Sequence, residues 1–144
     1  MGSEMSGGIR NVFAEDCFMD SPDLKRVLRI KTNSLRGGYA ENIYMRNIEI
    51  MNLRDSVIRV NFQYSEGDVG EHDPYVRNIT VENVVSHGGQ QALDLEGYER
   101  SPISNLKVIN CQFNNLSSSE PVSMKFVEDV VFDNVTINGE LYTP

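Results

Sequence analysis

Two basic side chains separated by a single residue, Arg29 and Lys31, are the strongest candidates for chemistry in this sequence. They alternate with the apolar residues Leu28 and Ile30, and a period of two is typical of a strand with one buried face. The two cations then share the opposite, solvent-facing side. Cations fixed side by side favour an anionic ligand, because a carboxylate accepts charge-assisted hydrogen bonds from both. The sequence therefore predicts an anion-binding surface on this strand.

The same short strand recurs three more times along the chain, at residues 57–61, 92–96 and 122–125. Aligning the copies gives two outward columns, which are Arg29, Arg59, Asp94, Ser123 and Lys31, Asn61, Glu96, Lys125. Neighbouring strands lie about 4.8 Å apart, so Asp94 is expected to neutralise Arg59. Arg29 and Lys31 have no partner in these columns. Either a ligand carboxylate lies between them, or loop carboxylates neutralise them, for which the candidates are Glu4, Asp20 and Asp23.

A longer strand pattern precedes each of these segments and predicts the fold. Its five copies begin at Ile9, Ala40, Val76, Ile103 and Val127, at the irregular intervals of 31, 36, 27 and 24 residues. Strands of fixed register joined by turns of variable length are typical of a β-solenoid, whereas helical repeats keep a constant period. Asparagine recurs in two columns where the chain must bend, and asparagine tolerates the left-handed backbone conformation. We therefore predict an all-β fold, a right-handed parallel β-helix of four to five coils.

Composition excludes several classes of function. A length of 144 residues predicts one domain, residues 1–144, and a net charge of −8 disfavours nucleic acid or an anionic membrane as a partner. No apolar run reaches the roughly 18 residues of a membrane span, and the first residues do not resemble a secretion signal. Cys17 and Cys111 occupy one column three coils apart, too far for a disulfide, so both are expected to be buried, reduced thiols.

Other reactive side chains are weaker candidates. His72 and His87 lie in different loops with no further ligand at metal-binding spacing, and no metal site or cofactor is expected from them. The acidic loop before Pro74 offers calcium ligands, but solvated surface charge is the simpler interpretation; its carboxylates are Glu66, Asp68, Glu71 and Asp73. Asp94 and Glu96 have the spacing of a glycosidase pair, yet their cationic neighbours indicate salt bridges.

Several motifs together resemble the polygalacturonases, glycoside hydrolase family 28. The similar segments are residues 2–12, the Leu-Arg-Ile-Lys-Thr-Asn-Ser string at 28–34, the Arg-Gly-Gly at 36–38, and residues 58–64 and 134–139. The last two segments are similar to the bacterial, exo-acting branch. The resemblance implies hydrolysis of the α-1,4 linkages of galacturonate in pectin, with inversion. It also implies that Arg29 and Lys31 hold a galacturonate carboxylate and that Tyr64 contacts the sugar.

The sequence departs from this family at the catalytic residues. Neither the Asn-Thr-Asp string nor the Asp-Asp pair of the family is present, and Met1 stands where a Gly-His-Gly motif would precede Gly2. The chain is therefore expected to be the C-terminal half of such a protein, without catalytic residues of its own and inactive alone. The parent protein is expected to be periplasmic or secreted in a bacterium. An exposed first coil predicts association between copies of the chain.

Two other functions remain open at this point. A non-catalytic carbohydrate-binding or structural β-helix, such as a tailspike-like or adhesin repeat, would have the same strands but no need for the paired cations. A pectate lyase-like enzyme would need a calcium site and a basic residue as catalyst, and the acidic loop is its single candidate.

Overall fold

The computed structural model describes residues 1–144, and every regular element in it is a β-strand. The strands are β1 (Gly8–Asp20), β2 (Leu28–Lys31), β3 (Tyr39–Asn52), β4 (Ser56–Asn61), β5 (Tyr75–Ser86), β6 (Gln91–Glu96), β7 (Ile103–Phe113), β8 (Val122–Lys125), β9 (Val127–Ile137) and β10 (Glu140–Leu141). No helix is present that is long and apolar enough to cross a membrane.

The chain alternates between two parallel sheets. The long strands form one sheet in the order β1-β3-β5-β7-β9, closed by the short antiparallel β10, and the short strands form the other in the order β2-β4-β6-β8. One long and one short strand thus make each turn, which is a right-handed parallel β-helix. Five long and four short strands confirm the predicted fold and number of coils. The two-residue β10 was not predicted.

The strand register confirms the predicted columns. Leu28 pairs with Ile58 and Ile30 with Val60, and these side chains point into one core of 27 buried residues. Arg29 pairs in the same register with Arg59, on the outward face. Alternation along the short strands therefore fixes which residues form the core and which ones face solvent.

Stacked asparagines turn the long strands at two places. The first column has a positive φ at Asn11, Asn42, Asn78, Asn105 and Asp129, and the second at Asp16, Asn47, Asn83, Asn110 and Asn134. Their amides bond from coil to coil: Asn78 donates to Asn42 at 2.9 Å and accepts from Asn105 at 2.8 Å. Asparagine satisfies both demands, because it tolerates the left-handed region and its side chain both donates and accepts.

Replacing Asn78 by alanine is expected to lower the free energy of unfolding by about 2–4 kcal/mol. Alanine at the positive φ of 58° is strained, and two ladder hydrogen bonds are lost. Asn78→Gly removes the same bonds without the strain, so its loss should be about 1 kcal/mol smaller. Urea unfolding followed by circular dichroism measures both. Equal losses for the two variants would show that the backbone conformation contributes nothing.

The two cysteines differ from the prediction in one respect. Both are free thiols, as expected, and Cys111 is buried, which raises the pKa of its thiol. Cys17 is only partly buried, so the prediction of two buried thiols is wrong for this residue. Cys17 lies on β1, which pairs with β3 on one side and has no strand on the other, whereas Cys111 lies on β7 between two strands.

Candidate functional site

The structure places Arg29 and Lys31 side by side on the outward face of β2. Leu28 and Ile30, which alternate with them along the strand, are buried and hold it against the core. The outward columns are arranged as predicted, since β2, β4, β6 and β8 pair in the expected register. We call these two columns the outward strip and its first pair of residues, Arg29 and Lys31, the basic rung.

The basic rung carries two half-buried cations without a carboxylate partner. Of the 13 lysines and arginines, five make no salt bridge. Two of these five are Arg29 and Lys31, and the remaining three, Arg10, Lys25 and Lys107, are exposed. An exposed lone cation is solvated by water at little cost, whereas two half-buried neighbours repel each other in a less polar environment. The arrangement is therefore unfavourable without an anion.

The loop carboxylates that might have neutralised the basic rung bond elsewhere. Glu4 lies 3.8 Å from Arg36, and Asp23 lies 3.2 Å from Arg54. Asp20 accepts a hydrogen bond from Asn52. The structure thus contradicts this alternative interpretation of the sequence.

Tyr64 lies beside the basic rung, so the structure brings together all three residues predicted to bind substrate. Its ring centroid is 4.5 Å from Lys31 Nζ and 5.9 Å from Arg29 Cζ, within the range of cation–π attraction. Its hydroxyl is 3.5 Å from Lys31 Nζ. Tyr64 orients the two cations without neutralising them, because an aromatic ring carries no net charge.

The amino group of Met1 lies next to the basic rung. The Met1 ammonium donates to the Arg29 carbonyl at 2.7 Å. Burial lowers the pKa of this amine, and the charges of Lys31 and Arg29 lower it further. Burial and the two cations of the basic rung thus both disfavour a third positive charge at this position.

Buried polar residues directly after β2 hold Tyr64 in place. The Asn33 amide donates to the Tyr64 carbonyl at 2.9 Å and to Glu66 at 3.1 Å. Hydrogen bonds from its own backbone and from Ser65 lower the pKa of Glu66, so this carboxylate remains charged. The prediction of site residues missed Asn33. A polar Thr-Asn-Ser run directly after a strand was the available signal.

A small polar cleft of about 120 Å³ opens beside Tyr64. It is lined by Ser3, Glu4, Asn33, Arg36, Tyr64, Ser65 and Glu66. Hydroxyl, amide and carboxylate groups of this kind match the hydroxyls of a sugar. Tyr64, which lines the cleft, also contacts Lys31 of the basic rung.

Arg100 fixes the acidic loop that follows Tyr64. Its guanidinium donates to both oxygens of Asp68 at 2.6 and 2.7 Å and to Asp73 at 2.7 Å. It also stacks on the Tyr98 ring at 4.7 Å. Hydrogen bonding to Arg100 lowers the pKa of Asp68 to about 2. Two of the four carboxylates considered for calcium are therefore committed to an arginine, and sequence spacing gave no sign of this pairing across loops.

The carboxylates further along the outward strip are also paired. Asp94 lies 2.9 Å from Arg59, as predicted, and Glu96 lies 3.0 Å from Lys125. Each carboxylate is thus held by a cation on a neighbouring strand instead of being free to act on a substrate. This pairing supports the interpretation of Asp94 and Glu96 as structural salt bridges.

The histidines do not meet at one site. His87 Nε2 lies 3.0 Å from Glu49 on the long-strand sheet, away from the outward strip. The His72 backbone donates to the Ser34 carbonyl at 2.9 Å. No group of three or more histidine, cysteine or acidic side chains is arranged to hold a metal ion.

Comparison with known proteins then identifies the family. The model of glycosyl hydrolases family 28 matches residues 1–126. The chain belongs to this family. The resemblance of its motifs to the polygalacturonases is thus confirmed.

Two individual relatives agree with this assignment. A "probable polygalacturonase" of Vitis vinifera is 28% identical over 131 residues, which cover 85% of this glycosyl hydrolase family 28 chain and 25% of that protein. The crystal structure of a hyperthermoactive exopolygalacturonase from Thermotoga maritima superposes with a TM-score of 0.87 at 36% identity, covering 96% of this chain and 30% of that one. The chain thus spans a quarter of the curated relative and less than a third of the solved structure.

Proposed function

We propose that this chain is the carboxylate-binding part of a polygalacturonase-like protein, and that it holds a galacturonate residue of pectin at Arg29, Lys31 and Tyr64. The observation that carries the proposal is the basic rung, whose two half-buried cations lack any carboxylate partner. The alternative of a purely structural β-helix leaves this arrangement unexplained, because it would maintain repulsion between two cations for no gain.

The residue types suit a uronate. The planar guanidinium of Arg29 donates two parallel hydrogen bonds to a carboxylate, and the Lys31 ammonium adds a third donor from the side. Tyr64 presents an aromatic edge and a hydroxyl next to them, so that the sugar ring lies against Tyr64 while its carboxylate lies on the rung. A neutral hexose would leave both cations without a partner, and the site therefore discriminates by charge.

Carboxylate specificity is the direct test of this proposal. Calorimetric titration of the purified chain with trigalacturonate should give binding that weakens at least about tenfold when the ligand is fully methyl-esterified, since esterification removes every ligand charge while it keeps the sugar rings. Equal affinity for the two ligands would contradict the proposal. It would favour the structural β-helix if neither ligand bound.

Hydrolysis of the α-1,4 linkage with inversion is proposed for the whole protein, not for this chain. The reaction needs an acid that protonates the leaving oxygen and a base that activates water. The candidate pair in this sequence, Asp94 and Glu96, is bound to Arg59 and Lys125. We propose that the acid and base lie on a part of the parent protein outside this sequence.

Purified chain is therefore expected to release no reducing sugar from polygalacturonate above the rate of a buffer blank. The substitution Asp94→Asn is expected to leave this result unchanged, because Asp94 is assigned no catalytic role. A reducing-end assay over a range of pH values measures both proteins. Turnover by the wild type that disappears in the Asp94→Asn variant would show that the chain holds its own catalytic acid.

We also propose that the first coil is an association surface. Strand β1 is paired on one side only, and it exposes Phe13 by 61% and Phe18 by 64%. An open edge with exposed aromatic residues invites pairing with another strand. The first coil therefore provides both unpaired backbone groups and apolar surface.

Light scattering of the purified chain should accordingly give a mass above that of the monomer which rises with concentration. Replacing Phe13 and Phe18 by lysine is expected to return the mass to 16.3 kDa, because charges on an edge strand oppose pairing. The control variant Val131→Lys, Leu141→Lys adds the same charge at the other end of the solenoid. Its mass is expected to remain above that of the monomer. Wild type that stays monomeric at all concentrations would refute the proposal.

A further inference from the structure

The outward strip changes its charge along the solenoid. Parallel pairing places Arg29 next to Arg59, Arg59 next to Asp94, and Asp94 next to Ser123. The second column runs from Lys31 through Asn61 and Glu96 to Lys125. Four rungs thus follow one another at about 4.8 Å spacing. The first carries two cations, the second one cation, the third two carboxylates and the fourth one cation.

The third rung neutralises the cations on both of its sides. Asp94 reaches Arg59 on the second rung at 2.9 Å, and Glu96 reaches Lys125 on the fourth at 3.0 Å. The Asp94 side chain is 25% exposed and that of Glu96 is 31% exposed, so both charges face the strip while solvent screens them only in part. The unpaired positive charge of the strip is therefore confined to the basic rung, and every cation beyond it is paired with a carboxylate of the third rung.

We infer that Asp94 and Glu96 limit how far an oligouronate extends along the strip. This inference rests on the proposed function, which places a uronate carboxylate on the basic rung. An oligogalacturonate carries one negative charge per sugar, so sugars beyond the second rung approach two fixed carboxylates. Like charges brought together in a partly desolvated site oppose binding and select against the ligand that creates the contact. Asp94 and Glu96 are thus specificity-determining residues.

The consequence is a dependence of affinity on ligand length. Affinity should increase from one to two galacturonate residues and then level off or decline. We attribute the limit to charge, because the outward residues of the third rung are the two carboxylates Asp94 and Glu96.

The test compares ligands of two lengths on one variant. In the double variant Asp94→Asn, Glu96→Gln, the affinity for hexagalacturonate relative to digalacturonate is expected to rise at least about fourfold, the effect of removing one like-charge contact at about 5 Å in a water-like dielectric. Each amide keeps an oxygen that accepts a hydrogen bond from its neighbouring cation. If circular dichroism shows that the double variant is poorly folded, the two single variants replace it in the test. Each is expected to show a smaller increase in the affinity for hexagalacturonate relative to digalacturonate.

A matched control separates position from net charge. Glu15 and Glu41 on the long-strand sheet are each paired with an arginine at 2.8 Å. The variant Glu15→Gln, Glu41→Gln therefore loses the same charge and the same number of ion pairs as the test variant. Its ratio of hexagalacturonate to digalacturonate affinity should equal that of the wild type.

The outcomes distinguish this inference from the proposed function. An unchanged ratio in the test variant, or an equal rise in the control, would overturn the inference while digalacturonate binding still supports the basic rung. A wild type that binds neither ligand in calorimetry would overturn both.

Discussion

Replacing Arg29 and Lys31 together by alanine is expected to weaken trigalacturonate binding at least about a hundredfold. A hydrogen bond to a charged partner contributes about 1.5–3 kcal/mol, so the loss of two such donors corresponds to about 3 kcal/mol or more. Stability should rise slightly or stay the same, because the two cations repel each other in the unliganded chain. Calorimetry gives the affinity and urea unfolding gives the stability. Binding would thus be lost without loss of the fold.

The control for this variant removes two other unpaired cations. Arg10 and Lys107 are exposed, make no salt bridge and lie on the long-strand sheet. Their replacement by alanine lowers the net charge equally, so any shared reduction in affinity measures long-range attraction alone. If both double variants lose the same affinity, the basic rung is not the binding site.

Phe62→Ala is expected to produce the largest loss of stability, about 3–5 kcal/mol. Phe62 is fully buried, and its ring packs against the edge of Tyr98 at a centroid distance of 5.5 Å. The Tyr98 hydroxyl in turn donates to the Phe62 carbonyl at 2.6 Å and accepts from the Ser34 backbone at 3.1 Å. A cavity at this point removes packing between three successive turns of the chain.

The matched control is Phe18→Ala, which deletes the same side chain where it is 64% exposed. At a concentration low enough for the chain to be monomeric, its effect on the free energy of unfolding should stay within about 0.5 kcal/mol. Urea unfolding measures both variants, and a loss below about 1 kcal/mol for Phe62→Ala would mean that the core adjusts to fill the cavity. Because the Phe62 carbonyl and Tyr64 are two residues apart, Phe62→Ala should also weaken trigalacturonate binding.

The strand architecture could be predicted because its determinants are local and repeated. Alternation of apolar and polar residues fixes the two faces of each strand, and a misalignment of one residue would turn the apolar set to solvent. Asparagine at each bend adds a second, independent marker of register, as the positive φ of 58° at both Asn11 and Asn78 shows. The five copies of the repeat are only partly similar, so the columns can be located from all five together but not from any single copy.

The contacts of the loops could not be predicted in the same way. Arg100 is 27 and 32 residues from its partners Asp73 and Asp68, and the loops between strands differ in length from coil to coil. Residues in such loops cannot be aligned in columns, so the pairing of Arg100 with Asp68 and Asp73 could not be predicted from the sequence. The prediction that Cys17 is buried failed for another reason. The repeat predicts the inward direction of its side chain, but burial also depends on whether a neighbouring strand covers it.

The basic rung lies between these two cases. The strand pattern was enough to place Arg29 and Lys31 outward and side by side. That both remain unpaired depends on where Glu4 and Asp23 lie, which only the structure shows. The motif resemblance supplied the ligand that we propose, a galacturonate carboxylate, and the two unpaired cations supply the physical argument for it.

The most direct measurement is a nuclear magnetic resonance titration of the side-chain nitrogens with trigalacturonate. The resonances of Arg29 Nε and Lys31 Nζ are expected to shift most and to saturate together, while those of Arg10, Lys25 and Lys107 stay in place. Saturating shifts at the exposed cations, with none at Arg29 and Lys31, would contradict the assignment of the basic rung as the binding site.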